Sequence, residues 1–307
     1  MTETSKTLLA LLNVEPIDDH LFLGRAVASG DLPRLFGGQV AGQALAAAAR
    51  TVSADRPPHS MHSHFLRPGE IGVPIEYSVD TVREGRTFST RHVVARQGAK
   101  TLFTMDASFS VAETGLDHQV DPPIAPDPDN VRTLLETMRL APDDWPSFYS
   151  DWGSMDIRPI DLSAGGGASS APNNTRAQFW FRAIDRLPDE LVLHSCILAC
   201  VSDLTLLAVA FVPHGIVPVH PGFQAASLDH TVWFHRPFRL DDWLLYDQNS
   251  PSAFGARALA CGRLFDREGK HVATVAQEGM VRPIRPASVT PSELRESRQP
   301  SNADTGR

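Results

Sequence analysis

The chain has 307 residues, of which 42% are hydrophobic and 21% charged, and its formal net charge is −8. This composition is typical of a folded globular protein of one large domain or two core-forming units. The acidic balance argues against a nucleic-acid partner, and three cysteines, an odd number, argue against a disulfide scaffold. The sequence shows no run of about 18 apolar residues and no signal-peptide pattern, so we expect a cytoplasmic protein without stable membrane insertion.

The first predicted elements are a strand, a helix and a set of antiparallel strands. The strand lies in "LFLGRAV" and the helix in the alanine-rich "GGQVAGQALAAAARTV", whose paired glycines allow a close approach to a sheet. The strands begin at "HSMHSHFLRPG" and include a hairpin around "RQGAK", where a glycine occupies the turn.

The second part of the chain repeats this order. A strand in "QFWFRAI" precedes "LPDELVLHSCILACVSDLTLLAVA", which is apolar nearly all round and predicts a buried central helix. Strands follow from "LDHTVWFHRPF", with a hairpin around "DREGK". Phe65-Leu66-Arg67-Pro68 matches Phe234-His235-Arg236-Pro237, which indicates an internal repeat. In this alignment Asp106 stands where the second copy has Gln277, and "GQAL" stands where it has "SDLT".

The repeat predicts an α+β fold of two tandem units, each with an antiparallel sheet wrapped around a long central helix, an arrangement called a hotdog. We expect a first hotdog over residues 1–115, a proline-rich linker over 116–150 and a second hotdog over 151–286. The segment "SAGGGASSAPNN" predicts a flexible loop, and 287–307 a disordered tail.

Ser227, Asp229 and His230 in "ASLDHTVWFHRPF" have the side-chain types of a hydrolase triad. The run reads as a strand, and alternation would place Ser227 and Asp229 on one face with His230 turned away. We therefore expect His230 to be a strand histidine satisfied by a neighbour, and Ser227 to act with partners elsewhere. Asp203 lies on the apolar helix, where an unpaired carboxylate is costly, so it should have hydrogen-bond partners.

The motifs "LFGGQVAGQALAAA", "HSMHSHFLRPG", "SDLTLL", "SLDHTVWFHRPFRLDDWLLY" and "VATVAQEGMVR" together resemble the acyl-CoA thioesterase II family, from about residue 8 to residue 283. The resemblance implies a double-hotdog fold and hydrolysis of fatty acyl-CoA to free acid and coenzyme A, without a cofactor. It further implies that Asp203, Ser227 and Gln277 hold the attacking water, the first as its base. Threonine is the commoner residue at the position of Ser227.

Further side chains are candidates for the substrate site. His59 is expected to border the cleft, and Arg67, Arg236 and Arg239 are candidates for the phosphates of coenzyme A, although isolated arginines are commonly ion-paired surface groups. The histidines of "HSMHSH" lack further ligands at metal spacing, and we predict no metal site.

Two other functions remain open at this point. A hotdog acyl-CoA hydratase or dehydratase would need an aspartate and a histidine aimed at the substrate carbons, and a non-catalytic acyl-CoA-binding module would lack Asp203 or Gln277. The apolar alternation in "EYSVDTV" and "WLLYD" predicts that the two halves share one sheet and leave apolar surface for a homodimer or homotetramer.

Overall fold

The structure is a computed structural model that describes residues 3–30, 32–140, 147–160, 175–216 and 222–284. The first half contains α1 (Glu3–Leu12), β1 (Val14–Asp18), β2 (Leu21–Gly24), α2 (Gly37–Ala49), β3 (Pro58–Phe65), β4 (Ile75–Glu84), β5 (Phe88–Gln97) and β6 (Lys100–Ser110). The second half contains α3 (Leu134–Leu140), β7 (Met155–Ile160), β8 (Arg176–Ala183), α4 (Leu191–Val201), α5 (Asp203–Leu206), β9 (Phe223–Ser227), β10 (Asp229–Phe234), β11 (Leu244–Phe254), β12 (Arg257–Asp266) and β13 (His271–Pro283).

All the described strands belong to one antiparallel sheet. Its order is β1-β2-β4-β5-β6-β3-β10-β13-β12-β11-β8-β7, and β9 pairs with β13 beside this path. The two halves join where β3 pairs with β10, from Ser60 opposite Trp233 to His64 opposite Asp229. The predicted continuous sheet is thus present, and the double-hotdog prediction is confirmed.

The central helices of the two halves pack against each other on one face of the sheet. Two glycines of α2 allow the close approach: a Cβ on Gly38 would lie 2.2 Å from the backbone oxygen of Cys200, and one on Gly42 would lie 2.9 Å from that of Cys196. Cys196 and Cys200, one helical turn apart on α4, are buried and form part of this core.

The apolar segment that carries Asp203 is Leu191–His214, and its last turns after α5 are a 3₁₀ helix over Leu207–His214. By length and composition alone this segment could cross a membrane, but the core helix of a folded protein meets the same criteria. In this protein 83% of its most apolar stretch is buried. Packing against α2 and the sheet accounts for its hydropathy.

The structure corrects the alignment of the repeat by one residue. The backbone N–H groups of the first two residues after β3 both donate to the backbone oxygen of Leu102. Those of the first two residues after β10 donate to the backbone oxygen of Val272 in the same way. Five residues further along lie Ala107 in the first half and Gln277 in the second. Asp106, predicted to correspond to Gln277, is one position earlier, on the opposite face of its strand, with its side chain 61% exposed.

The other two polar residues also lack counterparts. Asp203 has no acidic counterpart in the central helix of the first half, because α2 over Gly37–Ala49 contains no aspartate or glutamate. Ser227 pairs with Gly279 on β13, and the matching pair in the first half is Pro58 with Phe109. The first half therefore has none of the three polar side chains at the corresponding places.

The predicted linker contains short helical segments at Pro128–Asn130, α3 and Ser147–Trp152. Its proline-rich part is bound to the second half: Trp180 donates to the backbone oxygen of Pro126, and Gln119 donates to that of Gly269. The predicted loop "SAGGGASSAPNN" and the predicted tail over 287–307 lie outside the described residues. The predicted domain bounds stay predictions.

Candidate active site

A cleft of about 910 Å³ lies between the two halves, and we call it the central cleft. Its walls come from the start of α2, the end of β3, the segment from α5 into the following 3₁₀ helix, and β9. Most of the described lining is apolar, including Leu35, Phe36, Val40, Phe65, Phe103, Phe148, Leu207, Phe211 and Phe223. Asp203 is the one carboxylate among the described residues that line the cleft.

Asp203 is the first residue of α5, directly after the C-terminal end of α4, and its exposed fraction is 8%. Its Oδ1 accepts a hydrogen bond of 3.0 Å from Ser227 Oγ. Its Oδ2 lies beside the first residue of α2, since a Cβ on Gly37 would be 3.1 Å from it. Together with burial, which is the larger cause, the charge of Asp203 raises the pKa of both Tyr149 and Cys200.

Ser227 and Gln277 complete a short polar chain with Asp203. Ser227 is the last residue of β9 and is half-buried at the wall of the cleft. Gln277 is fully buried in β13, and its Nε2 donates to Ser227 Oγ at 2.7 Å. The structure thus brings together the three side chains that the family resemblance selected.

The expectation that His230 turns away from the face of Ser227 is wrong. Ser227 pairs with Gly279, and Thr231 pairs with Ala276, so one extra residue is inserted between β9 and β10 opposite β13. Such a bulge reverses the side on which the following side chains lie. His230 consequently faces inward, and its Nδ1 lies 2.7 Å from Gln277 Oε1.

His230 is fully buried, and its Nε2 lies 2.9 Å from Ser202 Oγ. Burial holds its pKa below the usual value, although the charge of Asp203 and the hydrogen bond with Gln277 act in the opposite direction. The ring is therefore neutral at physiological pH. As expected, neighbouring groups satisfy this histidine, but one of those neighbours is Gln277.

The structure adds two cleft residues that the sequence did not indicate. Tyr149, from the predicted linker, stacks with Phe148, and its hydroxyl donates to the backbone oxygen of Leu204 at 3.1 Å. Arg34 lines the cleft and donates to the backbone oxygen of Ala225 at 2.8 Å. Neither lies in a motif with a recognisable chemical pattern, and only the folded chain places them here.

Of the predicted substrate-binding residues, Arg67 lines the central cleft, where it also donates to the backbone oxygen of Thr101 at 2.9 Å. The other three do not line it. Arg236 pairs with Asp117, and Arg239 pairs with Asp189 and with Asp241. His59 Nε2 lies 2.8 Å from Ser108 Oγ, and the His59 ring contacts the ring of Phe88.

Within the described ranges, no group of three or more histidine, cysteine, aspartate or glutamate side chains is placed to hold a metal ion. Asp203 has Ser227 as its side-chain neighbour, and His230 contacts Ser202 and Gln277. The polar side chains at this site are thus hydrogen-bonded to one another.

Comparisons with known proteins show the family of this chain. A family model described as acyl-CoA thioesterase matches residues 161–280, and one described as acyl-CoA thioesterase N-terminal domain matches residues 28–110. Acyl-CoA thioesterase 2 of Haemophilus influenzae is 35% identical over 286 residues, which cover 92% of this chain and 99% of that protein.

Two solved structures are similar over nearly the whole fold. The crystal structure of the acyl-CoA thioesterase II TesB2 from Mycobacterium marinum is 40% identical, with a TM-score of 0.76, and the match covers 92% of this chain and 100% of that one. A protein of unknown function with a hot dog fold from Alicyclobacillus acidocaldarius is 18% identical, with a TM-score of 0.74 and coverage of 91% and 99%. The second likeness concerns the fold alone.

Proposed function

The chain belongs to the acyl-CoA thioesterase II family and is an acyl-CoA thioester hydrolase, and we propose that it acts by direct attack of a water held by Asp203, Ser227 and Gln277. The observation that supports this mechanism is the position of Asp203. It is the one carboxylate in the described lining of a largely apolar cleft, and it is bound to Ser227 and through it to Gln277. The products are a free fatty acid and coenzyme A.

Asp203 Oδ2 takes a proton from the water while the water oxygen bonds to the thioester carbonyl carbon. Oδ1 is already occupied by Ser227, which leaves Oδ2 for this task. The carbon–sulfur bond then breaks, and the coenzyme A thiolate leaves and takes up the proton held by Asp203, which restores the carboxylate. A thiolate is a good leaving group, so an oriented water and a base suffice without a covalent enzyme intermediate.

Ser227 and Gln277 orient the base and the water. Ser227 donates to Asp203, which fixes the plane of the carboxylate, and Gln277 donates one amide hydrogen to Ser227. Gln277 is fully buried and does not line the central cleft, so it acts on the water through Ser227. Both residues are neutral, so they do not compete with Asp203 for the proton.

We assign stabilisation of the oxyanion to the N-terminal turn of α2. Its N-cap residue Phe36 offers no side-chain cap, and the first N–H groups of a helix have no partner within it. Gly37 lines the cleft next to Asp203 Oδ2, so a carbonyl oxygen at this turn would place its carbon near the attacking water. The positive end of the helix dipole would favour the developing negative charge.

For the rest of the substrate, we propose that the apolar lining holds the acyl chain and that Arg34 and Arg67 bind phosphate groups of coenzyme A. These two arginines are the cations among the described lining residues. Each donates a hydrogen bond to one backbone oxygen, which leaves further guanidinium N–H groups for an anion. Arg236 and Arg239, in contrast, are held by carboxylates away from the cleft.

Two features disfavour the other functions that the sequence left open. A hydratase or dehydratase needs a histidine facing the substrate, but His230 is fully buried and does not line the central cleft. A binding module without activity would lack the carboxylate or the amide, and both are present.

The test of the mechanism is a thiol-release assay with short, medium and long acyl-CoA substrates on wild type and Asp203→Asn. We expect kcat to fall by roughly two orders of magnitude or more, the usual contribution of a positioned general base. Asp106→Asn is the matched control, since this carboxylate is exposed on the outer face of the sheet, and it should retain full activity. A folded Asp203→Asn enzyme with nearly the wild-type rate would exclude Asp203 as the base.

We also propose that the protein forms homodimers or homotetramers. The cytoplasmic location stays a prediction.

A further inference from the structure

The polar chain of the active site continues behind Gln277 into the protein core. Gln277, His230 and Ser202 all have exposed fractions of 0%. Ser202 Oγ lies 2.9 Å from His230 Nε2, and His230 Nδ1 lies 2.7 Å from Gln277 Oε1. Neither His230 nor Ser202 lines the central cleft, so neither touches the substrate. Polar groups buried this deeply need a reason beyond packing.

The direction of every hydrogen bond in this chain follows from its carboxylate end. Asp203 is acceptor-only when ionised, so the proton between it and Ser227 belongs to Ser227. Ser227 Oγ must then accept from Gln277, which requires the amide nitrogen on that side. The amide oxygen therefore faces His230, and it can only accept.

The same reasoning fixes the histidine. Because Gln277 Oε1 accepts, His230 Nδ1 must carry a hydrogen, and because the buried ring is neutral, Nε2 must be bare. The hydroxyl of Ser202 then donates to Nε2. All the hydrogens point from the core toward the carboxylate, in one continuous sequence from Ser202 through His230, Gln277 and Ser227 to Asp203.

We propose that His230 and Ser202 are positioning residues that fix the orientation of the Gln277 amide. With the amide reversed, its oxygen would face Ser227, the hydroxyl hydrogen would turn to that oxygen, and Asp203 Oδ1 would lose its donor. The inference rests on the proposed function, because it assigns Gln277 a task in that mechanism.

The backbone around His230 is built to hold this arrangement. Asp229 Oδ1 accepts a hydrogen bond of 2.7 Å from the backbone N–H of Glu278, at the inserted residue that interrupts the pairing of β9 and β10 with β13. On the other side, Ser63 Oγ donates to the backbone oxygen of His230 at 2.7 Å. The neighbouring pair Asp229 and His230 thus holds the successive residues Gln277 and Glu278.

The kinetic test compares His230→Asn with His230→Leu, two substitutions whose side chains both branch at Cγ. The asparagine amide nitrogen can take the place of Nδ1 and donate to Gln277, whereas leucine cannot. We expect kcat to stay within about tenfold of wild type for His230→Asn and to fall roughly 100-fold for His230→Leu, with KM changed by less than about threefold in both. Equal losses in the two variants, or no loss in a folded His230→Leu enzyme, would overturn the proposal.

A spectroscopic test needs no leucine variant. Nitrogen-15 NMR of ring-labelled wild-type protein reports which ring nitrogen carries the hydrogen, and the signal that disappears in His230→Asn identifies this ring. We expect the Nδ1–H form in wild type and an increased fraction of the Nε2–H form in Ser202→Ala. An Nε2–H ring in wild type would overturn the proposal even if His230→Leu does not fold.

Asp203→Asn assayed in parallel separates the two levels of inference. If Asp203→Asn keeps its activity, the proposed mechanism fails, whatever the tautomer of His230. If Asp203→Asn is inactive while folded His230→Leu keeps its kcat, only the positioning role fails.

Discussion

Removing or modifying the hydroxyl of Ser227 separates its two possible tasks, donor to the base or nucleophile. In the structure Ser227 donates to Asp203 at 3.0 Å and accepts from Gln277 at 2.7 Å. Ser227→Ala leaves Asp203 Oδ1 without this donor and one N–H group of fully buried Gln277 without its acceptor. Ser227→Thr keeps the hydroxyl and adds a methyl group, a side-chain type that suits a strand.

The expected size of the effect follows from these contacts. A hydrogen bond to a charged group contributes about 1.5–3 kcal/mol, and about 1.36 kcal/mol corresponds to a factor of ten in rate. Ser227→Ala should therefore lower kcat roughly tenfold to one hundredfold, because Asp203 and the water remain but are less well oriented. Ser227→Thr should stay within about threefold of wild type, since both hydrogen bonds survive.

The assay is thiol release under saturating acyl-CoA, with thermal unfolding of each variant as the folding control. In addition, enzyme quenched during turnover is analysed by intact-protein mass spectrometry. An acyl group on Ser227, or a complete loss of turnover in a folded Ser227→Ala enzyme, would identify a nucleophile and refute the water mechanism. A wild-type rate in Ser227→Ala would refute the orienting role.

Three further predictions follow from the fold. Gly38→Ala should destabilise the protein by about 1–3 kcal/mol, because the added Cβ would lie 2.2 Å from the backbone oxygen of Cys200. The control is Gly115→Ala, whose added Cβ would meet no atom within 4 Å, and equal melting temperatures for the two variants would contradict the close packing of α2 on α4. His230 has a folded-state pKa below the ordinary 6.5, so its contribution to stability is complete above that pH and is lost as the pH falls below it, by up to about 1.4 kcal/mol per pH unit. Urea unfolding between about pH 7.5 and pH 5.5 should show this loss as a slope of the unfolding free energy against pH. The same slope in His230→Asn would argue against the prediction. His194, whose pKa burial also lowers, adds to the slope in both proteins. Light scattering at micromolar concentration should give a mass above that of the 33.5 kDa chain, and a purely monomeric mass would contradict the proposed oligomer.

The sequence alone was sufficient to predict the tandem architecture, because the alternation of strands and the all-round apolar helix that carries Asp203 are local patterns. The three polar side chains were implied by the resemblance of their motifs to the acyl-CoA thioesterase II family. An aspartate within such a helix must find partners when it is buried, whatever the details of packing. The structure supplies Ser227 as that partner.

Only the tertiary structure decided which other side chains surround this site. Strand alternation assigns faces only while pairing is uninterrupted, and one inserted residue after Ser227 moves His230 to the inner side, behind Gln277. A shift of one residue in the repeat likewise places Ala107, not Asp106, at the position that corresponds to Gln277. The arginines were ambiguous for a different reason: Arg236 is paired with Asp117 of the connector, more than one hundred residues away, and no local pattern encodes so distant a contact.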